Sequence, residues 1–186
     1  MSKSVRVTIP FESLDPLTIG SCDDPSMVYR EQIEIDIPKD NLVAVIEPNE
    51  PASLPSVTEA AAQALENPQS GPRFSEMIRP DKSLAIIIDN QFRPTPASKI
   101  LPAILDAVEK HGVKDTRVVC ANGKVFTMSE ADTEKKLGKE NLARMERLGI
   151  PFFQNEPREE DMYSFIGVSS RGTPVWLHNE VAKSDV

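Results

Sequence analysis

The sequence predicts an α/β fold with a mostly parallel sheet, on three observations. An apolar run, Leu84–Ile88, stops abruptly in Asp89-Asn90-Gln91 and gives way to a helical pattern after Pro94-Thr95-Pro96. A second apolar run, Thr116–Cys120, follows that helix, and a strand–helix–strand unit of this kind crosses over right-handed with its strands parallel. The segments Val5–Ile9 and Gln32–Ile37 alternate apolar and polar residues, as strands with one wet face do. The expected architecture is a Rossmann-like three-layer domain over residues 31–186. An N-terminal arm over residues 1–30 precedes it, bringing antiparallel edge strands.

Composition narrows the functional classes. The chain has 186 residues, 21 basic and 29 acidic, with a net charge of -8. An acidic chain without a basic stripe speaks against nucleic acid and against an anionic membrane surface as partners. No apolar stretch approaches the roughly 18 residues of a membrane-crossing helix, and Met1–Pro10 has no apolar signal core, so a cytoplasmic location is expected. Cys22 and Cys120 are too few for a disulfide framework and read as reduced. His111 and His178 stand far apart without cysteine partners, so no metal site is expected from them. His178 reads as a surface residue and His111 as a partner for a helix dipole. There is no G-x-S-x-G elbow for a serine triad and no G-x-G-x-x-G for a dinucleotide.

Taken in order, Leu14–Pro25 is rich in turn formers, and Leu42–Ile46 reads as a short strand after the Pro38-Lys39-Asp40 turn. Ser56 opens a helix over Val57–Leu65 through a capping box with Glu59, and Asn67-Pro68 ends it. Phe74, Met77 and Ile78 suit a short helix that stops at Pro80. After the central strand, Ile100, Leu101, Ile104, Leu105 and Val108 share one helical face. Thr95 can cap that helix, Pro96 fits its first position and Gly112 its end. A helix from Thr127 or Ser129 to Leu137 and another over Glu140–Leu148 follow. Strands are expected at Ile150–Phe153, Tyr163–Gly167 and Thr173–Leu177, with an acidic loop at Glu156–Asp161.

Parallel neighbouring strands put their carboxyl ends on one edge of the sheet, where open α/β folds bind ligands. That edge would bring Asp89, Asn90, Gln91, Arg93 and Thr95 opposite Asn122, Gly123 and Lys124. Arg93, Lys124 and the free N–H groups of the helix opening at Thr95-Pro96 would together favour a carboxylate or phosphate. The alternative reading pairs Arg93 with Asp89 or a surface carboxylate and makes Asn122-Gly123 an ordinary turn.

These residues also resemble a known family. Asn90-Gln91-Phe92-Arg93-Pro94-Thr95-Pro96 is similar to the D-x-T-R-P-x-P signature of the nickel-dependent lactate racemases. Ala64-Leu65-Glu66-Asn67-Pro68 resembles that family's A-L-x-N-P helix end, and Ala121-Asn122-Gly123-Lys124-Val125-Phe126 its A-T-G-x-H-R segment. Gly172-Thr173-Pro174-Val175 and Ala182-Lys183-Ser184-Asp185 resemble its later G-T-P-V and E-A-D segments. The resemblance implies the N-terminal domain of a two-domain α/β enzyme that racemises or epimerises 2-hydroxy acids. In such enzymes a nickel pincer nucleotide moves a hydride and histidines move the proton of the hydroxyl. Arg93 matches the family's anion-holding arginine; its aspartate falls on Asn90, unless Asp89 serves with a one-residue shift, and Phe92, Asn122, Val125 and Phe126 replace its first threonine, second threonine, histidine and second arginine. The residues that attach the cofactor, and the C-terminal domain itself, fall outside this chain by that comparison, which leaves it without a metal site or cofactor of its own.

The expectation is therefore a substrate- or cofactor-binding wall, inactive alone and completed by a missing C-terminal domain or a second subunit, a homodimer being one such arrangement. Its ligand would be a small anion such as a 2-hydroxy carboxylate. Arg93 would hold the carboxylate or phosphate, Asn90 and Gln91 would bond hydroxyls, and Lys124 would add charge. The alternative is a module without catalysis that binds a hydroxy acid, a sugar acid or a partner protein.

Overall fold

The computed structural model describes residues 3–14, 28–46, 49, 52–123 and 126–186, with the side chains of 10–14 and 28–31 left aside. Cys22, the turn-rich stretch over 15–27, Lys124 and Val125 lie outside the described residues.

The fold is α/β, as the sequence predicts. Strand β3 (Ser83–Asp89) runs parallel to β4 (Asp115–Ala121), which runs parallel to β5 (Phe152–Gln154), in the order β3-β4-β5. Helix α3 (Ala97–His111) makes the crossover. Its apolar stripe (Leu101, Leu105, Val108) meets Leu84 and Ile86 of β3 and Val118 of β4 in the core, with Leu137 of α4 (Glu130–Leu137) and Met145 of α5 (Lys139–Leu148). Leu105, Val118 and Leu137 have no exposed surface. Truncating any one of them to alanine would cost about 2–5 kcal/mol through lost burial and the cavity left behind. The residues between these on β4 face the other way: Arg117 reaches Glu180 on α6 (Asn179–Ala182), and the Phe153 ring on β5 lies 6.2 Å from that of His178.

Helix ends follow the local chemistry. Ser56 accepts a hydrogen bond from the Glu59 amide at the start of α1 (Val57–Glu66). Ser129 and Asp132 form a reciprocal capping box on α4. Gly112 and Gly149 both take the left-handed conformation, and the amides that follow bond back to Val108 and Met145, closing α3 and α5 as Schellman motifs. That last turn engages Ile150, so β5 begins at Phe152 rather than at Ile150. The short helix α2 (Phe74–Met77) precedes β3.

Two antiparallel hairpins flank the parallel sheet. In the first, β1 (Ser4–Leu14) pairs with β2 (Val28–Pro38) over eleven positions, joining the expected arm strand to the expected strand at Gln32–Ile37. Val5, Val7 and Ile9 stand opposite Ile37, Ile35 and Ile33 on one face, while Arg6 pairs with Asp36 and Glu34 on the other. In the second, β6 (Tyr163–Val168) pairs with β7 (Pro174–His178).

Two expectations are corrected. Leu42–Ile46 forms no strand: a single turn of 3-10 helix at Lys39–Asn41 precedes it, it joins no ladder among the described residues, and Val43 is fully exposed. His178 is buried rather than superficial, because Phe153 and Tyr163 pack around its ring.

Candidate functional site

The carboxyl ends of β3 and β4 lie side by side, with Asp89 in register with Ala121, so the two polar corners share one edge. They are joined directly. The Asn90 side-chain amide donates to the Asn122 carbonyl at 3.1 Å, while its oxygen accepts from the Phe92 amide at 3.1 Å. A turn closed by the Arg93 amide on the Asn90 carbonyl then presents Arg93 to solvent. Among the described residues its guanidinium has no ion-pair partner, so the pairing with Asp89 weighed from the sequence is not made.

Asp89 has another partner, one invisible in the sequence. Lys136 on α4 is 5 % exposed, and its ammonium sits 2.8 Å from the Asp89 carboxylate and 3.0 Å from the carbonyls of both Arg93 and Thr95. The two carbonyls accept its hydrogen bonds and the carboxylate supplies the opposite charge, and a buried ammonium is costly without such partners, so this set pins the loop. The Thr95 hydroxyl donates to the other Asp89 oxygen.

The expected geometry needs correcting at four places. Thr95 does not cap α3: Pro96 holds the cap position without a side-chain bond, and the Thr95 hydroxyl is turned to Asp89. The helix opening does not offer a row of free donors, since the amides of Ala97, Lys99 and Ile100 already bond to the Thr95 and Pro96 carbonyls. Asn122 is 2 % exposed and faces inward. Its oxygen accepts from the Cys120 thiol at 2.9 Å, and its nitrogen donates to Gln154 at 3.3 Å and to the Asn155 carbonyl at 3.1 Å. Gln91 is 8 % exposed, its oxygen enclosed without a partner among the described residues. Gly123 takes φ +64 at the exposed tip of this corner, a conformation glycine adopts without strain. Lys124 lies outside the described residues.

Residues missed from the sequence complete the edge. Gln154 bridges the Met128 amide and carbonyl, and Asn155 donates to the Gly123 carbonyl at 3.3 Å while accepting from the Tyr163 hydroxyl at 2.7 Å. Beside them lies a recess of about 570 Å³ lined by Asn155, Pro157, Glu160, Tyr163 and Trp176. The one available signal was placement: Gln154 and Asn155 end the third parallel strand, on the same edge as the other two corners.

The titratable groups sort into passive and available ones. Burial pushes the Cys120 thiol up to about 12, so it stays protonated. Burial also lowers the pKa of His178, whose Nδ1 accepts from the Glu180 amide at 3.2 Å. His111 ends α3, the helix that begins at this edge, and so lies at the opposite end of the sheet.

The comparisons with known proteins follow from this architecture. The model of the lactate racemase N-terminal domain matches residues 29–186. This chain belongs to that family. The domain's fold also matches the lactate racemase apoprotein of Thermoanaerobacterium thermosaccharolyticum, with TM-score 0.68 and 20% identity, over 83% of this chain and 35% of that one. A crystal structure of a Thermotoga maritima protein matches at TM-score 0.48 and 17% identity, over 64% of this chain and 29% of that one. No curated protein matches the chain. The racemase N-terminal domain described here thus spans about a third of the racemase it resembles. Among its described residues no group of three histidine, cysteine or acidic side chains is placed to hold a metal ion, and no helix is long and apolar enough to cross a membrane.

Proposed function

We propose that this domain supplies one wall of a binding site for a small 2-hydroxy carboxylate, in a racemase- or epimerase-like protein whose second wall comes from another domain or subunit. One observation supports the reading: a solvent-facing Arg93, without an ion-pair partner among the described residues, stands on a turn that the Lys136–Asp89 ion pair holds at the carboxyl edge of a parallel sheet. A guanidinium grips a carboxylate through two parallel N–H···O bonds, which fixes orientation as well as charge. Arg93 would hold the carboxylate. The exposed Thr95 hydroxyl, already donating to Asp89, has lone pairs free to accept from the substrate hydroxyl. Asn90 serves as the strap between the corners rather than as a substrate contact. Lys124 would add positive charge. A nickel pincer nucleotide, which the family uses for hydride transfer, would find its metal donors in residues other than these.

Proton transfer at this edge would need a group from elsewhere, because the chain's two histidines are spoken for: one caps α6 and the other lies across the sheet. That observation favours a second reading, a domain that binds a hydroxy or sugar acid without turning it over. Calorimetric titration with lactate, malate, glycerate and gluconate tests both. At least one acid should bind, and Arg93→Ala should abolish the heat while leaving the fold intact. Binding without turnover when the remaining two-thirds of a racemase is added would select the second reading; no binding by any of the four would remove both.

A further inference from the structure

The recess beside Asn155 is walled by rings. In the hairpin of β6 and β7, Tyr163 stands opposite His178 and Phe165 opposite Trp176, so these four side chains share one face. The face is buried at His178 and open at Trp176, which is 57 % exposed. The Phe165 ring lies 5.2 Å from the indole, tilted by 58°, and braces it. Pro157 and Glu160, from the segment after β5, form the rest of the lining. That segment is tied to the hairpin. The Asn179 side-chain amide donates to the Asp161 carbonyl at 2.6 Å, and the Ser164 hydroxyl donates to the Asn179 oxygen at 2.7 Å. The recess of about 570 Å³ falls within the roughly 300–1,000 Å³ of small-molecule sites.

Its charge and its hydrogen-bonding groups say what it can hold. Asn155 uses both ends of its amide, accepting from the Tyr163 hydroxyl at 2.7 Å and donating to the Gly123 carbonyl at 3.3 Å. Glu160 is exposed and has no ion-pair partner among the described residues. Burial, and after it the Glu156 carboxylate, holds the Tyr163 phenol above its usual range, so a negative field reaches that ring. Such a lining repels anions and offers a sugar few hydroxyl partners. A bare ammonium is strongly hydrated, and it would leave water here without acceptors enough to replace it. An alkylated ammonium has no N–H bonds to lose. Its methyl groups pack on ring faces, and the ring quadrupole attracts its charge.

We propose that this recess binds a quaternary ammonium group, with its methyls against Trp176, Tyr163 and Pro157 and its charge balanced by Glu160. The site is distinct from the Arg93 corner, and its ligand carries the opposite charge.

Trp176 is the chain's one tryptophan, so its emission reports on the recess directly. The probes are choline chloride and its neutral isostere, with tert-butyl in place of trimethylammonium. Each is titrated into the full chain, with sodium chloride holding the ionic strength constant. Choline should change the emission saturably. The isostere should bind about tenfold more weakly, the loss expected when a cation is taken from a ring-lined site. Glu160→Gln should weaken choline several-fold and leave the isostere unchanged, while Arg93→Ala should bind choline as the parent does. Glu160 is exposed, so its substitution leaves the packing intact. No saturable response to choline, equal affinity for the two probes, or unchanged choline affinity in Glu160→Gln would overturn the proposal. Neither probe is an acid, so failure here is told apart from failure of the hydroxy-acid reading.

Discussion

The two corners at the ligand edge are built on opposite principles. The Asp89–Thr95 corner is held by charge: one buried ammonium neutralises a carboxylate and draws in two carbonyls, leaving Arg93 outside without an ion-pair partner among the described residues. The Asn122–Gly123 corner is held by neutral amides, with Asn122, Gln154 and Asn155 bonded to one another and to the backbone. A charged clamp tolerates an exposed cation beside it because its own charge is balanced, whereas an amide network has no lone charge to offer. In the proposed function the first corner grips the ligand, while the described side chains of the second shape the space in which the first works.

The comparison breaks most severely at Lys136. Substituting Lys136→Met keeps most of the length of the side chain but leaves the partly enclosed Asp89 carboxyl without its ammonium. Removing one member of a buried pair costs about 3–5 kcal/mol, and a urea unfolding midpoint should register it. The double variant Lys136→Met, Asp89→Leu should recover most of the loss. If the single variant is as stable as the parent, the clamp is not what holds this corner.

The second corner should give way more gently. Asn122→Ala strips partners from the Cys120 thiol, the Gln154 oxygen and the Asn155 carbonyl, and buried polar groups left unpaired cost about 1–3 kcal/mol. The loss should be smaller than at Lys136, since no net charge is stranded. A larger loss for Asn122→Ala than for Lys136→Met would reverse the ranking of the two corners.

Most of the scaffold was legible in the sequence because it rests on short-range rules. Leu101, Leu105 and Val108 declared the buried face of α3 by spacing alone, and Ser56, Ser129 and Gly112 marked helix ends by their own chemistry. Adjacency of the two corners followed from the handedness of one crossover. What stayed hidden depends on partners far along the chain. Lys136 sits in a polar helix beside Lys135 and reads as solvated; only assembly brings the Arg93 and Thr95 carbonyls, more than forty positions earlier, to its ammonium. Asn122 looked like turn residue and ligand contact at once, and its inward rotation depends on Gln154 and Asn155 arriving from β5. The apolar run Leu42–Ile46 shows the converse: strand-like composition alone does not place it in a ladder among the described residues.

A pH series separates the corners further. The Cys120 thiol belongs to the amide corner, and burial raises its pKa from 9.0 to about 12. Its unfolded form therefore ionises first, so above pH 9 the unfolded chain binds fewer protons than the native one and stability falls with rising pH up to about 12. Comparing the parent with Cys120→Ser isolates this contribution: the parent should lose stability more steeply above pH 9, and the two should run parallel between pH 6 and 8. Parallel curves throughout would mean that the thiol ionises in place.

The smallest effect on stability is expected at the residue with the largest proposed role. Arg93 contributes no ion pair among the described residues and is exposed, so Arg93→Ala should change the unfolding free energy by no more than about 0.5 kcal/mol, as surface substitutions do. Its backbone carbonyl, the atom Lys136 holds, survives the substitution, so the turn keeps its shape. Loss of carboxylate binding in that variant would then be loss of the guanidinium and nothing else. Arg93→Lys sharpens the point: it keeps the charge but not the paired donors, so it should restore only part of the affinity if two-point recognition operates, and nearly all of it if the corner supplies only a positive field.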